Sequence, residues 1–177
     1  MKTSELTKRI SGPSSKAWAV GDRAFELIEQ GEDIIHLGIG DPDFDTPEPI
    51  VNAIGSALDK RKTHYSPLAG EMKLRKQIAV HANTLYGGGV ESEHIAVLPG
   101  AQAALFSSFL CLSDFGDEVI ILEPTYATYP AVIQASGAKL VRIVLDVETD
   151  YQINLSKIKS AITNKTRAIL INSPCNP

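Results

Sequence analysis

Hydrophobic positions follow two rhythms along this chain. In the first third they fall at one- and two-turn helical spacings: Trp18, Phe25, Leu27 and Ile28, then Ile50, Val51, Ile54 and Leu58. That spacing marks one face of an α-helix. The first set predicts a helix capped by Ser14 or Ser15 and running to about Gln30, with Gly31 just past its end. The second predicts a helix to about Lys60, with Thr46 as N-cap and Pro47 at the first helical position. Met1 to Pro13 is polar and aperiodic and reads as an arm. Asp33 to Leu37 reads as a short strand.

From Ile95 onward the rhythm changes to short apolar runs separated by helix-forming stretches. Strands are expected at Ile95–Leu98, Glu118–Leu122, Lys139–Leu145 and Arg167–Asn172. Helices are expected over Ala103–Leu112, Tyr129–Ser136 and Leu155–Ile162, after an earlier one over Glu71–Tyr86 that stops at Gly87-Gly88-Gly89. Strands alternating with helices across short connections predict an α/β fold with a mostly parallel sheet and flanking helices. The run Ile169–Ile171 reads as a strand buried on both faces, as inside such a sheet. No covering element follows it, so the chain reads as part of a longer protein.

Composition narrows the classes. The chain has 177 residues, 44% of them hydrophobic, enough for a core. The net charge is −4 and no basic run exceeds Lys60-Arg61-Lys62, which argues against nucleic acid. Cys111 and Cys175 form no CxxC pair, in keeping with a reducing compartment. The polar N-terminus argues against a signal peptide, and no apolar run approaches the ~20 residues of a membrane span. A cytoplasmic protein is expected. His36, His64, His81 and His94 have no metal-ligand spacing, and no HExxH, GxSxG or P-loop sequence occurs.

In open parallel sheets ligands bind beyond the carboxyl ends of strands. The turns after Leu98, Leu122 and Asn172 are therefore the candidate site segments. Pro99 stops the first strand and Gly100 lets the backbone pass close to a ligand. A phosphate could sit on Gly100, Ala101 and Gln102, at the positive start of a helix, although an ordinary turn has the same sequence. Tyr126 could lay its ring on a planar ligand or be a rim tyrosine. Asn176 could donate to a ligand oxygen or belong to a turn. Tyr65 could donate to a phosphate or to a surface group. Gly40 could admit a carboxylate close to the backbone or be a turn glycine with positive φ. The Gly38-x-Gly40 pair follows a predicted strand, but Asp43 stands where a dinucleotide fingerprint needs its third glycine.

Taken together, five segments resemble one family. Gly38-Ile39-Gly40-Asp41-Pro42-Asp43-Phe44-Asp45-Thr46-Pro47 is similar to the GxGxPDFxTP segment of class I, fold type I aminotransferases, which depend on pyridoxal phosphate. Tyr65 to Gly70 with Leu74-Arg75 resembles their Y…G…LR segment. Pro99-Gly100-Ala101-Gln102 resembles their phosphate turn, and Glu123-Pro124-x-Tyr126-x-x-Tyr129-Pro130 their P-x-Y/W-x-x-Y-P segment. Asn172-Ser173-Pro174-Cys175-Asn176-Pro177 resembles the start of their N-x-P-x-N-P-T-G loop. The motif style is nearest to the aspartate and arginine–pyruvate transaminase branches.

The resemblance implies a role for each residue. Gly100, Ala101 and Gln102 would hold the phosphate of pyridoxal 5′-phosphate. Tyr126 would stack on its ring and Asn176 would bond its phenolic oxygen. Tyr65 would reach the phosphate in the partner subunit of a homodimer, and Gly40 would touch the substrate carboxylate. Residues 1–48 would form an arm and part of the small domain, and 49–177 the first part of the cofactor domain. The family's Schiff-base lysine, the aspartate at the pyridine nitrogen, and the arginines for phosphate and for the substrate carboxylate lie past Pro177. No catalytic residue is therefore assigned, and this portion alone is expected to be inactive. The implied reaction moves an amino group from an amino acid to a 2-oxo acid. The alternatives are a lyase or decarboxylase of the same fold type, or a fragment without catalysis.

Overall fold

The computed structural model describes residues 2–11, 16, 18–38, 40 and 42–175. In chain order its elements are α1 (Glu5–Ile10), α2 (Ala19–Glu29), α3 (Glu48–Asp59), α4 (Met72–Tyr86), α5 (Ala101–Leu112), β1 (Glu118–Glu123), α6 (Tyr129–Ala135), β2 (Lys139–Val144), α7 (Leu155–Ala161) and β3 (Thr166–Leu170). The chain divides into two compact units, residues 41–104 and residues 1–40 with 105–177.

The larger unit is built on β1. The sheet order is β2-β1-β3 and both pairings are parallel, with Ile120 opposite Val141 on one side and Ile169 on the other. Side chains alternate between the faces of a strand. Val119 and Ile121 therefore enter one core, with Phe109 of α5, Ile133 of α6 and Ala138. Ile120 and Leu122 enter the opposite core, with Ile143 and Ile158 of α7. Val119, Ile120, Ile121 and Ile133 are fully buried. Helices thus cover both faces, as an unbroken apolar strand requires.

The smaller unit holds α3 and α4. In α4, Asn83 closes the glycine turn that follows it: its Nδ2 donates to the Val90 carbonyl at 2.7 Å, and the Val90 amide donates to its Oδ1 at 2.8 Å. The apolar stripe of α3 is open, with Ile54 57% exposed and Leu58 58%.

Several expectations need correction. The polar arm contains a helix, α1, whose first amides are capped by Ser4 and whose ends carry Glu5, then Lys8 and Arg9. Six residues are too few to show a period. Arg9 then donates from Nε to the Gln134 carbonyl at 3.3 Å and from Nη2 to the Ala135 carbonyl at 3.4 Å, a cation at the C-terminus of α6. Helix α2 starts only at Ala19, while the proposed caps Ser14 and Ser15 lie outside the described residues; its end is as expected, with Gly31 at φ +89°. The cap of α3 is Pro47 rather than Thr46, because the extended backbone persists through Pro47 and its carbonyl accepts the Ile50 amide.

Two expected strands do not form. Asp33–Leu37 has no ladder partner among the described residues, and Ile35 and Leu37 are exposed. Ile95–Leu98 is also without a neighbouring strand among the described residues; a backbone link to another segment is the Val97 amide donating to the Ala69 carbonyl at 3.0 Å. A strand is defined by its neighbour, and apolar runs alone do not supply one. Finally, β3 is an edge strand among the described residues rather than one buried on both faces: Ile169 is 39% exposed and Ile171 55%. The strand covered on both faces is β1.

Candidate cofactor site

Gly100 ends the extended run and starts α5. Its amide donates to the Leu98 carbonyl at 2.8 Å, and its own carbonyl accepts the Ala104 amide at 3.2 Å, the first bond of the helix ladder. Its φ is +87°, a conformation that favours glycine, and no atom lies within 4 Å of where a Cβ would stand. Helix α5 follows for twelve residues from Ala101. A helix start presents amide donors and the positive end of the dipole. An open glycine turn in front of it fits a phosphate monoester, which needs donors and room for its oxygens. The segment is therefore a turn and helix start as expected, although Leu98 does not end a paired strand.

Tyr65 lies in the loop before α4 and its side chain is fully exposed. That loop is tied to the run leading into the phosphate turn by the Ala69–Val97 bond. Both Tyr65 and Gly100–Gln102 belong to the 41–104 unit.

In the other unit, the carboxyl ends of β1 and β3 open side by side. Leu122, Pro124 and Thr125 after β1 line one cavity of about 440 Å³ with Leu170, Asn172 and Ser173 after β3. The structure thus brings together two of the three turns that the strand-end argument singled out, those after Leu122 and Asn172. The Glu123–Pro124 and Ser173–Pro174 peptides are both cis. Tyr126 sits in the turn after β1, half-buried, with its ring 5.5 Å from that of Tyr129 and tilted by 50° to it. It lines a second cavity of about 530 Å³ with Pro124, Pro130 and Tyr151. A half-buried ring at a strand's carboxyl end leaves a face for a flat ligand. In the turn after β3, Asn172 Nδ2 donates to Cys175 Sγ at 3.5 Å. Asn176 lies outside the described residues. Gly40 is exposed, with nothing among the described residues within 4 Å of where a Cβ would stand.

In the sequence Arg75 stands out only as part of the Leu74-Arg75 motif. In the structure its Nε donates to the Ile95 carbonyl at 2.8 Å and its Nη2 to the Ser92 carbonyl at 2.6 Å. It therefore holds the base of the run that leads to Gly100. Two carboxyl groups are held below the ordinary carboxylate range, both away from these turns. Glu93 is lowered by a backbone amide and the Ser92 hydroxyl, and Asp117 by the Asp114 amide and Arg167. No group of three potential metal-binding side chains occurs among the described residues. No helix there is long and apolar enough to cross a membrane.

Comparison with known proteins gives one answer. The family description "Aminotransferase class I and II" matches residues 32–177. Arginine–pyruvate transaminase AruH of Pseudomonas aeruginosa is 43% identical over 177 residues, which is 100% of this chain and 45% of that protein. Aspartate aminotransferase of Thermotoga maritima is 37% identical over 174 residues, 97% of this chain and 46% of its own length. Among solved structures, aspartate aminotransferase from Thermus thermophilus with maleate superposes with a TM-score of 0.91 at 35% identity, over 100% of this chain and 46% of that one. The chain spans less than half the length of these relatives, and over that span both sequence and fold agree: it belongs to the class I and II aminotransferase family.

Proposed function

We propose that the protein to which this chain belongs is a pyridoxal-phosphate-dependent transaminase, moving an amino group from an amino acid to a 2-oxo acid. The observation that carries the reading is the likeness to AruH along the whole of this chain. In this reading residues 1–48 form an arm and part of a small domain, and residues 49–177 the first part of the cofactor domain. The protein acts as a cytoplasmic homodimer, without nucleic acid or membrane as partner.

The chain's own residues bind and orient. Gly100, Ala101 and Gln102 hold the cofactor phosphate, mainly by backbone amides, and the open φ +87° turn supports this. Tyr126 lies on the ring face and keeps water from it. Asn176 donates to the ring's phenolic oxygen. Tyr65, fully exposed on this chain, reaches the phosphate bound by the partner subunit. Gly40 lets the substrate carboxylate come close to the backbone. Bound there, pyridoxal phosphate supplies an electron sink for negative charge developing at the substrate Cα. None of these residues is assigned to move the substrate Cα proton, so this portion alone is not expected to turn over.

The test is the protein expressed from its complete reading frame with pyridoxal phosphate, L-arginine or L-aspartate as donor and pyruvate as acceptor. Formation of alanine from pyruvate is the expected result. Release of free ammonia without alanine would make the protein a lyase and overturn the proposal.

A further inference from the structure

The cofactor reading assigns the phosphate to the turn at Gly100, and the inference drawn here rests on that reading. We propose that Arg75 is a positioning residue for this turn, acting through the extended run 95–98. The run has no neighbouring strand among the described residues to hold it. Its place is set instead at both ends. At the base, the two Arg75 donors span from the Ser92 carbonyl to the Ile95 carbonyl, at 2.6 and 2.8 Å. Near the top, the Val97 amide donates to the Ala69 carbonyl at 3.0 Å. Beside that bond Gly70 packs against Val97 so closely that a Cβ on Gly70 would stand 2.8 Å from the Val97 Cβ. The Gly100 amide then donates back to Leu98, so any shift of the run passes directly into the turn.

The chemistry of Arg75 suits this task, beside its charge's smaller part in lowering the Glu93 pKa. Its guanidinium is spent on two neutral carbonyls from one short segment, and it forms no ion pair among the described residues. Charge-assisted donation makes these bonds stronger than neutral ones. A planar fork holds two carbonyls in a fixed relation, which a lysine ammonium cannot do. Arg75→Lys therefore keeps the charge and removes the fork.

The experiment uses the protein expressed from its complete reading frame and labelled with nitrogen-15, as wild type and as Arg75→Lys and Arg75→Gln. Amide hydrogen exchange and titration with inorganic phosphate are read residue by residue. In both variants exchange at Val97 and Gly100 should rise at least tenfold while Ile121 and Ile133 keep their wild-type rates. The phosphate dissociation constant read at Gly100, Ala101 and Gln102 should rise about tenfold, with Arg75→Lys no better than Arg75→Gln. Unchanged exchange at Val97 and Gly100 would overturn the proposal. So would an equal rise throughout α4, which would make Arg75 a general support of the unit. If phosphate does not shift the wild-type turn amides, the cofactor reading fails instead, and the exchange rates still decide the role of Arg75.

Discussion

Ile121 and Ile54 are the same side chain in opposite circumstances. Ile121 at the centre of β1 is fully buried; Ile54 on the apolar stripe of α3 is 57% exposed. Both were marked apolar by position, one in a strand run and one in a helical period. The difference lies in what the fold returns to each. Successive β-α units bring α5 and α6 to one face of β1 and α7 to the other. The 41–104 unit leaves the α3 stripe open. Periodicity identifies the face that suits burial, and the arrangement of other elements decides whether it is buried.

The comparison breaks most visibly at α5. Phe109 is 4% exposed within the core, and Phe106, one turn earlier, is 39% exposed. Phe109→Ala should cost ~3–5 kcal/mol in a urea denaturation series, as large-to-small changes in packed aromatic sites do. Phe106→Ala should cost less than half of that. Equal costs would mean that the core does not end where burial puts it. Next in size, Ile121→Ala should cost ~2–5 kcal/mol and Ile54→Ala under ~1 kcal/mol. A large loss at Ile54 would show that the α3 stripe is covered in solution, by a second copy or by aggregation, which light scattering would reveal.

These contrasts also explain what the sequence could reveal. Helices α4 to α7 and strands β1 and β2 lie close to where the apolar runs, glycines and prolines place them, because their signals are local. Gly137 stops α6 at φ +94°, and Gly100 turns into α5 at φ +87°. Ile95–Leu98 and Asp33–Leu37 carry the same local signal without forming strands, since pairing is supplied from elsewhere. The exposure of β3 was missed for a related reason: its run looks like that of β1, but among the described residues only β1 pairs with it. At the candidate site, the turn at Tyr126 was legible from strand-end logic; the turn at Gly100 was legible only from its own proline and glycine, since Leu98 ends no strand. The tie from Arg75 to Ile95 crosses twenty residues and has no local signature.

A smaller effect tests a local signal by itself. Asn154 caps α7, its Oδ1 accepting the amides of Ser156 at 2.9 Å and Lys157 at 3.2 Å. The cap holds the helix whose Ile158 covers the second face of β1. Asn154→Ala should lower stability by ~1 kcal/mol, and Asn154→Asp should largely preserve it. If the alanine variant is as stable as wild type, α7 is held by Ile158 packing and not by its cap.

The smallest effect lies at the amino end of the sheet, where charge rather than packing joins β1 to β3. Asp117 Oδ2 accepts from the Asp114 amide at 3.0 Å and from Arg167 Nε at 3.1 Å. These bonds favour the ionised form and hold its pKa below the ordinary value. A carboxyl that is more acidic when folded stabilises the fold above its unfolded pKa, about 4, and loses that contribution as pH falls through the lowered folded value. Arg167 is half-exposed and Asp117 only partly so, and salt should weaken the pair further. The melting temperature of wild type should therefore exceed that of Asp117→Asn by a constant margin from about pH 7 to pH 5. The margin should narrow below about pH 4 and shrink with added salt. A margin that widens on acidification would mean that the folded chain raises the Asp117 pKa. Arg167 would then not hold the carboxylate, and β1 and β3 would be joined at this end by the backbone bond from the Glu118 amide to the Lys165 carbonyl instead.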